Sequence, residues 1–463
     1  MKSKVIYKCS ICGFESIKWI GKCPECNSWN SFSETVIEVK KSSANKLYSN
    51  SIKRPIKRLS DVTSSNSDRI VTSIDEFNRV MGGGIVKDSL TIITAKPGAG
   101  KSTLLLQVAE DIASKGYKVV YASGEESDSQ IKNRADRILD KINENIWIVS
   151  DPSLNNVISS INEINPNLII VDSIQTFTLD ECLPSRAGSP SQTMECANEL
   201  LKIAKNSENP RAVIIVGQMT KNDEIAGLRA LEHLVDTVLI IEGDSEEELR
   251  GLLSSKNRFG GTGEMGFFAM TEKGMVSINN PSEFFMTKRE DGDIVTGCAL
   301  TVIREGSRPI IAEIESLISN SFTPFPSRIC DSLGKDQLNT LISILEQRGS
   351  INLYNKNVVI KTTGGLKLKE QSINLSVIMS IASSVYNKGI PNNTVFISDV
   401  GLTGELKKVP SLELRIRELD RMGFKKVYIA KNAFTRAVKF NKIEVIQLKT
   451  LQEVINHVFG KVK

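Results

Sequence analysis

TIITAKPGAGKST, residues Thr91–Thr103, is the stretch on which the reading of this chain turns. A phosphate-binding loop follows G-x-x-x-x-G-K-[ST]: glycines let the backbone close on a phosphate, and lysine and hydroxyl meet its charge and its cation. Gly100, Lys101 and Ser102 fit, but Ala95 stands where the first glycine should be, followed by Lys96 and Pro97. The flanks decide the matter. Leu90–Thr94 is an apolar, β-branched run that reads as a buried strand, and KSTLLLQVAEDIASKG from Lys101 has helical spacing. Strand, tight loop and helix are the setting such a loop requires. At the strand exit Ala95 needs only an extended φ; Gly98 and Gly100 remain for positive φ, and Pro97 stiffens the turn.

The expectation is therefore an ATP site on Ala95, Lys96, Pro97, Gly98, Ala99, Gly100, Lys101, Ser102 and Thr103. Amides from Gly98 to Lys101 would cradle the β-phosphate, Lys101 would bridge the β- and γ-phosphates, and Ser102 would hold magnesium. Further strands read from KVVYASGEE, PNLIIVDSI, RAVIIVGQ and TVLIIEGD, alternating with helices such as SQTMECANELLKIAKNS. Repeated strand–helix–strand units predict an α/β fold with a mostly parallel sheet and ligands at the strand C-termini. Three strand tips carry suitable groups: Glu125 to polarise an attacking water, Asp172 for the hydrated magnesium, and Gln218 to sense the γ-phosphate. Glu126 is the less favoured neighbour of Glu125.

Outside this core, the first 26 residues hold Cys9-x-x-Cys12 and, ten residues on, Cys23-x-x-Cys26. Each C-x-x-C turn points two sulfurs to one side, so four thiolates can surround one zinc ion; rubredoxin-type iron suits the same set. About thirty residues bury too little apolar surface to fold alone, so the metal would supply the stability. From Lys40 to Arg58 the chain is basic without an acidic residue, which suits either a solvated linker or contact with a phosphate backbone. The 463 residues, 40% hydrophobic and 24% charged, allow about three globular domains. No apolar run suggests a membrane span or a secretory signal, so the expected compartment is the cytoplasm.

GKCPECNSW, KPGAGKST, YASGEES, VDSIQT, LEHLVDTVLIIEGD and SSKNRFGGTGEMGFF together resemble the bacterial RadA (Sms) family of DNA-repair ATPases. The resemblance implies a four-cysteine zinc motif (1–33), a basic linker (34–59), a RecA-like P-loop domain (60–280) and a Lon-protease-like domain (281–463). It also implies that Lys256 and Arg258, in the K-N-R-F-G element Lys256–Gly260, reach ATP across a subunit interface as trans-acting cations. By the same resemblance, single-stranded DNA would meet the loops 176–192 and 219–229, through Arg186, Lys221 and Arg229. The implied activity is a DNA-dependent ATPase that translocates on single-stranded DNA and drives branch migration or D-loop processing. The implied partners are branched DNA, the RecA recombinase and further copies in a homo-hexamer. Two alternatives stand beside it: a Lon-type ATP-dependent protease, and a nucleotide-gated DNA-binding ring without motor activity. Against proteolysis, the nucleophile position falls at Ser372 but the position of its activating lysine at Glu413.

Overall fold

Ser89–Ala95 is buried at every residue, which only a strand covered on both faces can be. In the computed structural model it lies in the middle of a nine-stranded sheet. The model describes residues 3–11, 15–16, 18–19, 21–26, 28–38, 58–61, 69–218, 228–243, 248–290, 293–434, 436 and 438–460. They fall into two units, Met1–Asn66 and Ser67–Lys463. Among them no helix is long and apolar enough to cross a membrane.

In the first unit, Ser3–Cys9 pairs antiparallel with Glu15–Ser16 and with Phe32–Glu38, bringing Cys9 opposite Phe32.

In the second unit the large sheet is ordered Gly274–Ser277, Met265–Thr271, Leu249–Asn257, Thr237–Glu242, Ser89–Ala95, Ala212–Gln218, Leu168–Asp172, Val119–Ser123, Ile146–Ser150. From Thr237–Glu242 to Ile146–Ser150 the strands are parallel; the three at the other side add on antiparallel. The sequence patterns give the central parallel strands. The outer hairpins and the edge strand Ile146–Ser150, half-buried and therefore less apolar, are structural additions. Because successive residues point to opposite faces, Ile93, Tyr121, Ile170 and Ile214 pack under the helix Lys101–Ser114. Ile92, Val120, Ile169 and Val213 pack under the helices Leu154–Ile164 and Pro190–Ala204.

A second sheet of seven strands follows, with Arg308–Asn320 and Cys298–Glu305 near its middle. Lys335–Gly349, Asn374–Tyr386 and Leu451–Phe459 cover one face, and Leu412–Arg421 covers the other. The core of the first face continues into Met265 and Phe267 of the large sheet. Where the two sheets meet, Arg308 pairs at 2.9 Å with Glu76, which also accepts from the Phe267 amide.

Candidate functional site

Parallel register fixes which residues share an edge. Ala95 lies opposite Gln218, and Ser123 opposite Asp172, so the tips of four strands end together. Gly100, at φ 103°, turns the chain from Ala95 into the helix Lys101–Ser114, and Gly98 also has positive φ. Ala95 does not: it ends its strand fully buried, with extended backbone. Pro97, Lys101, Ser102, Glu125, Asp172 and Gln218 line one cavity. Lys96 and Pro97 are exposed beside it, and Ala99 is buried.

The polar side chains of this cavity hold one another. Lys101 Nζ donates to the carbonyls of Ala95 (3.0 Å) and Lys96 (3.4 Å). Burial pushes its ammonium below the usual lysine range, against the opposing pull of Asp172 and Glu125. Ser102 Oγ donates to Asp172 Oδ2 at 2.6 Å, and so does the Tyr121 hydroxyl, also at 2.6 Å. Glu125 Oε1 accepts from Gln218 Nε2 (2.9 Å) and from Ser173 Oγ (3.1 Å). Glu126 also lines the cavity, but its carboxylate is held by both terminal nitrogens of Arg134. Of the two neighbouring acids, Glu125 is therefore the one directed at the cavity's strand tips. Ser102 Oγ beside Asp172 is a pair of hard oxygen donors, which suits magnesium. Tyr121, Ser173 and Arg134 escape a sequence reading. The one available signal is that a tyrosine inside a wholly buried strand needs a partner for its hydroxyl.

Lys256 and Arg258 lie at the other edge. Lys256 pairs with Val238, and Val238 with Ile92. Arg258 binds Asp236 at 3.0 Å, and Asp236 accepts from the Leu90 amide. Leu90 is about 17 Å along the strand from Ala95, at about 3.3 Å per residue, so neither cation meets the cavity of its own chain. Lys256 Nζ instead caps the carbonyls of Glu232 and Val235 (2.9 Å to the latter) at the end of the helix Leu228–Leu234. Burial, then the charge of Arg258, lowers its pKa. The turn is clasped from behind. Arg69 donates to Phe259 O at 2.7 Å, Asn257 donates to Val80 O, and a Cβ on Gly82 would come within 2.9 Å of Gly260 Cα.

Arg186 is exposed in the loop between Asp172 and the helix Pro190–Ala204. Lys221 lies outside the described residues. Arg229 falls on the helix Leu228–Leu234, but its side chain is likewise outside them.

The cysteine site is compact. The sulfurs of Cys9, Cys23 and Cys26 lie within 4.8 Å of one another, Cys9 and Cys26 at 3.6 Å. Thiolates around a tetrahedral zinc stand roughly 3.8 Å apart, from a Zn–S bond of about 2.3 Å, so the donor set fits that ion. Cys12 lies outside the described residues.

In the second sheet's layer, Ser372 is buried and donates to Glu370 Oε2 at 2.8 Å, while Arg415 donates to Ser372 Oγ at 3.3 Å. Glu413 faces away, paired with Arg417 and Arg436.

Two regions of the chain match known families. Residues 7–34 match the family model described as a rubredoxin metal binding domain, and residues 53–224 the AAA domain. The chain is 41% identical over 462 residues to the DNA repair protein RadA of Bacillus subtilis (strain 168), covering 99% of each chain. It is 41% identical over 459 residues to the protein of that name from Streptococcus pyogenes serotype M1, covering 99% of this chain and 100% of that one. With its counterpart in Listeria monocytogenes serovar 1/2a the identity is 38% over 451 residues, 97% of both.

Proposed function

Because this chain belongs to the RadA family of DNA repair proteins, we propose that it is a DNA-dependent ATPase that translocates on single-stranded DNA. Its work would be branch migration and D-loop processing during homologous recombination in the cytoplasm, as a homo-hexameric ring acting with the RecA recombinase. The observation that carries this reading is the pairing of two opposite sheet edges. One gathers Lys101, Ser102, Glu125, Asp172 and Gln218 in a single cavity; the other presents Lys256 and Arg258 away from it.

On this reading Lys101 exchanges the carbonyls of Ala95 and Lys96 for the β- and γ-phosphate oxygens of ATP, with the loop Ala95–Thr103 around them. Magnesium, held by Ser102 and Asp172, supplies charge neutralisation on the same phosphates. Glu125 orients and deprotonates the attacking water, and Gln218, bonded to it, links the state of the γ-phosphate to the next loop. Lys256 and Arg258 of an adjoining subunit offset transition-state charge. Arg186, Lys221 and Arg229 contact DNA phosphates without reading bases. Zinc, rather than iron, occupies Cys9, Cys12, Cys23 and Cys26 in a motif spanning 1–33, joined by the basic linker 34–59 to the ATPase domain 60–280.

The domain 281–463 serves as a scaffold without proteolytic activity. Ser372 lies between Glu370 and Arg415 rather than beside a lysine, and Glu413, at the position of the activating lysine, is turned to Arg417 and Arg436. Casein cleavage abolished by Ser372→Ala would overturn this.

The test is ATP hydrolysis with and without single-stranded DNA, for wild type, Lys101→Ala and Lys256→Ala, beside unwinding of a branched substrate. The expected result is stimulation by DNA and loss of both activities in each variant. Turnover indifferent to DNA, with Lys101→Ala still unwinding, sinks the reading; binding of DNA and nucleotide with negligible hydrolysis favours a ring without motor activity.

A further inference from the structure

Tyr121 is fully buried in Val119–Ser123, a strand buried at every residue, on the face that packs against the helix Lys101–Ser114. Packing alone would be served as well by phenylalanine. A buried hydroxyl costs free energy unless it is bonded, and here it bonds to the one acid at the tip of the neighbouring strand. Its register partner is Ile170, two residues before Asp172, so the ring runs up the face of the sheet and delivers its hydroxyl to Oδ2 from beneath. Ser102 donates to that same oxygen from the helix side. Both donors use Oδ2, and among the described residues no hydrogen-bond donor reaches Oδ1 of Asp172, which lines the cavity.

We propose that Tyr121 is the positioning residue of the cation site: its hydroxyl fixes the Asp172 carboxylate so that one defined oxygen faces the magnesium of the bound nucleotide. The inference rests on the nucleotide site proposed above and adds to it a residue outside the phosphate loop and the strand tips. Its logic is the difference between the two hydroxyls that hold Asp172. Ser102 must also turn an oxygen lone pair to the cation, which constrains its bond to Asp172, whereas the Tyr121 hydroxyl has no second duty and holds the carboxylate's orientation throughout. Groups that steer a metal-facing carboxylate from behind typically alter metal affinity by about 10–100-fold when removed.

The test is Tyr121→Phe in the full-length protein, which removes one oxygen and keeps the ring. A fluorescent N-methylanthraniloyl-ADP probe reads nucleotide binding across a magnesium titration, and ATP hydrolysis is followed over the same titration. The expected result is a half-saturating magnesium concentration raised about tenfold, with unchanged probe affinity in excess chelator and an unchanged circular dichroism spectrum. In an Asp172→Asn background, Tyr121→Phe should add little, because the carboxylate it steers is gone. Equal magnesium dependence in wild type and Tyr121→Phe, both hydrolysing ATP, overturns the role of Tyr121 and leaves the ATPase reading standing. Loss of probe affinity by the same factor with and without magnesium makes Tyr121 a packing residue and overturns it too. Failure of wild type to bind the probe at all removes the nucleotide site, and this inference with it.

Discussion

Ala95 keeps its methyl group inside the sheet, and Gly100 has nowhere to keep one. Ala95 is an ordinary buried strand residue between Gln218 and Ile241. Gly100 holds φ at 103°, and a Cβ there would come within 2.5 Å of Met270 Cε. The thioether can swing aside, but the backbone angle cannot relax without moving the loop. Ala95→Gly should therefore change steady-state ATP hydrolysis by less than about fivefold, and Gly100→Ala should lower it by roughly tenfold or more. A collapse in the first or indifference in the second refutes this account of the loop. The adjacent acids make a second contrast. Glu125→Gln should cut kcat by about 10²–10⁴-fold while nucleotide binding persists. Glu126→Gln, which loosens only the grip on Arg134, should cost far less. Comparable losses in single-turnover assays would show that the two are not divided in this way.

At the scale of elements, what the sequence discloses is the material of the central strands, because strands buried on both faces announce themselves as apolar runs. With the strands come their tips, and so Lys101, Asp172, Glu125 and Gln218 are legible. Tyr121 is not, since inside such a run a tyrosine looks like one more core ring. The destination of Lys256 and Arg258 is equally hidden. K-N-R-F-G reads as a basic turn wherever it falls, and only the antiparallel return of Leu249–Asn257 carries it to the edge opposite the phosphate loop. Arg415 beside Ser372 brings together residues 43 apart that no local pattern links. The position of the K-N-R-F-G turn has a direct test. Oligomers mixed from Lys101→Ala and Lys256→Ala subunits should regain hydrolysis that neither homo-oligomer has, because some interfaces then join an intact loop to an intact turn. No recovery over a range of mixing ratios would count against action in trans.

Across the whole second unit, the two sheets are joined by a continuous core and by a buried ion pair. Glu76 is 1% exposed and Arg308 14%. Arg308→Ala would leave Glu76 with Arg79 and the Phe267 amide but without its full counter-charge. Removing one partner of such a pair costs about 3–5 kcal/mol, and the surviving contacts place this case near the lower figure. Thermal unfolding should report a clear fall in Tm, and a melting curve matching wild type would mean that the apolar core alone holds the junction. The opposed edges of the large sheet carry a wider consequence. If Lys256 and Arg258 act on a neighbour as proposed, the phosphate loop at one end of the sheet would meet the K-N-R-F-G turn of another copy, an association that runs head to tail. A solitary copy would then hold nucleotide without the cations that a neighbour brings. Specific activity per subunit should fall steeply as the protein is diluted and recover on concentration. Turnover strictly proportional to protein across a thousandfold range would mean that each copy works alone.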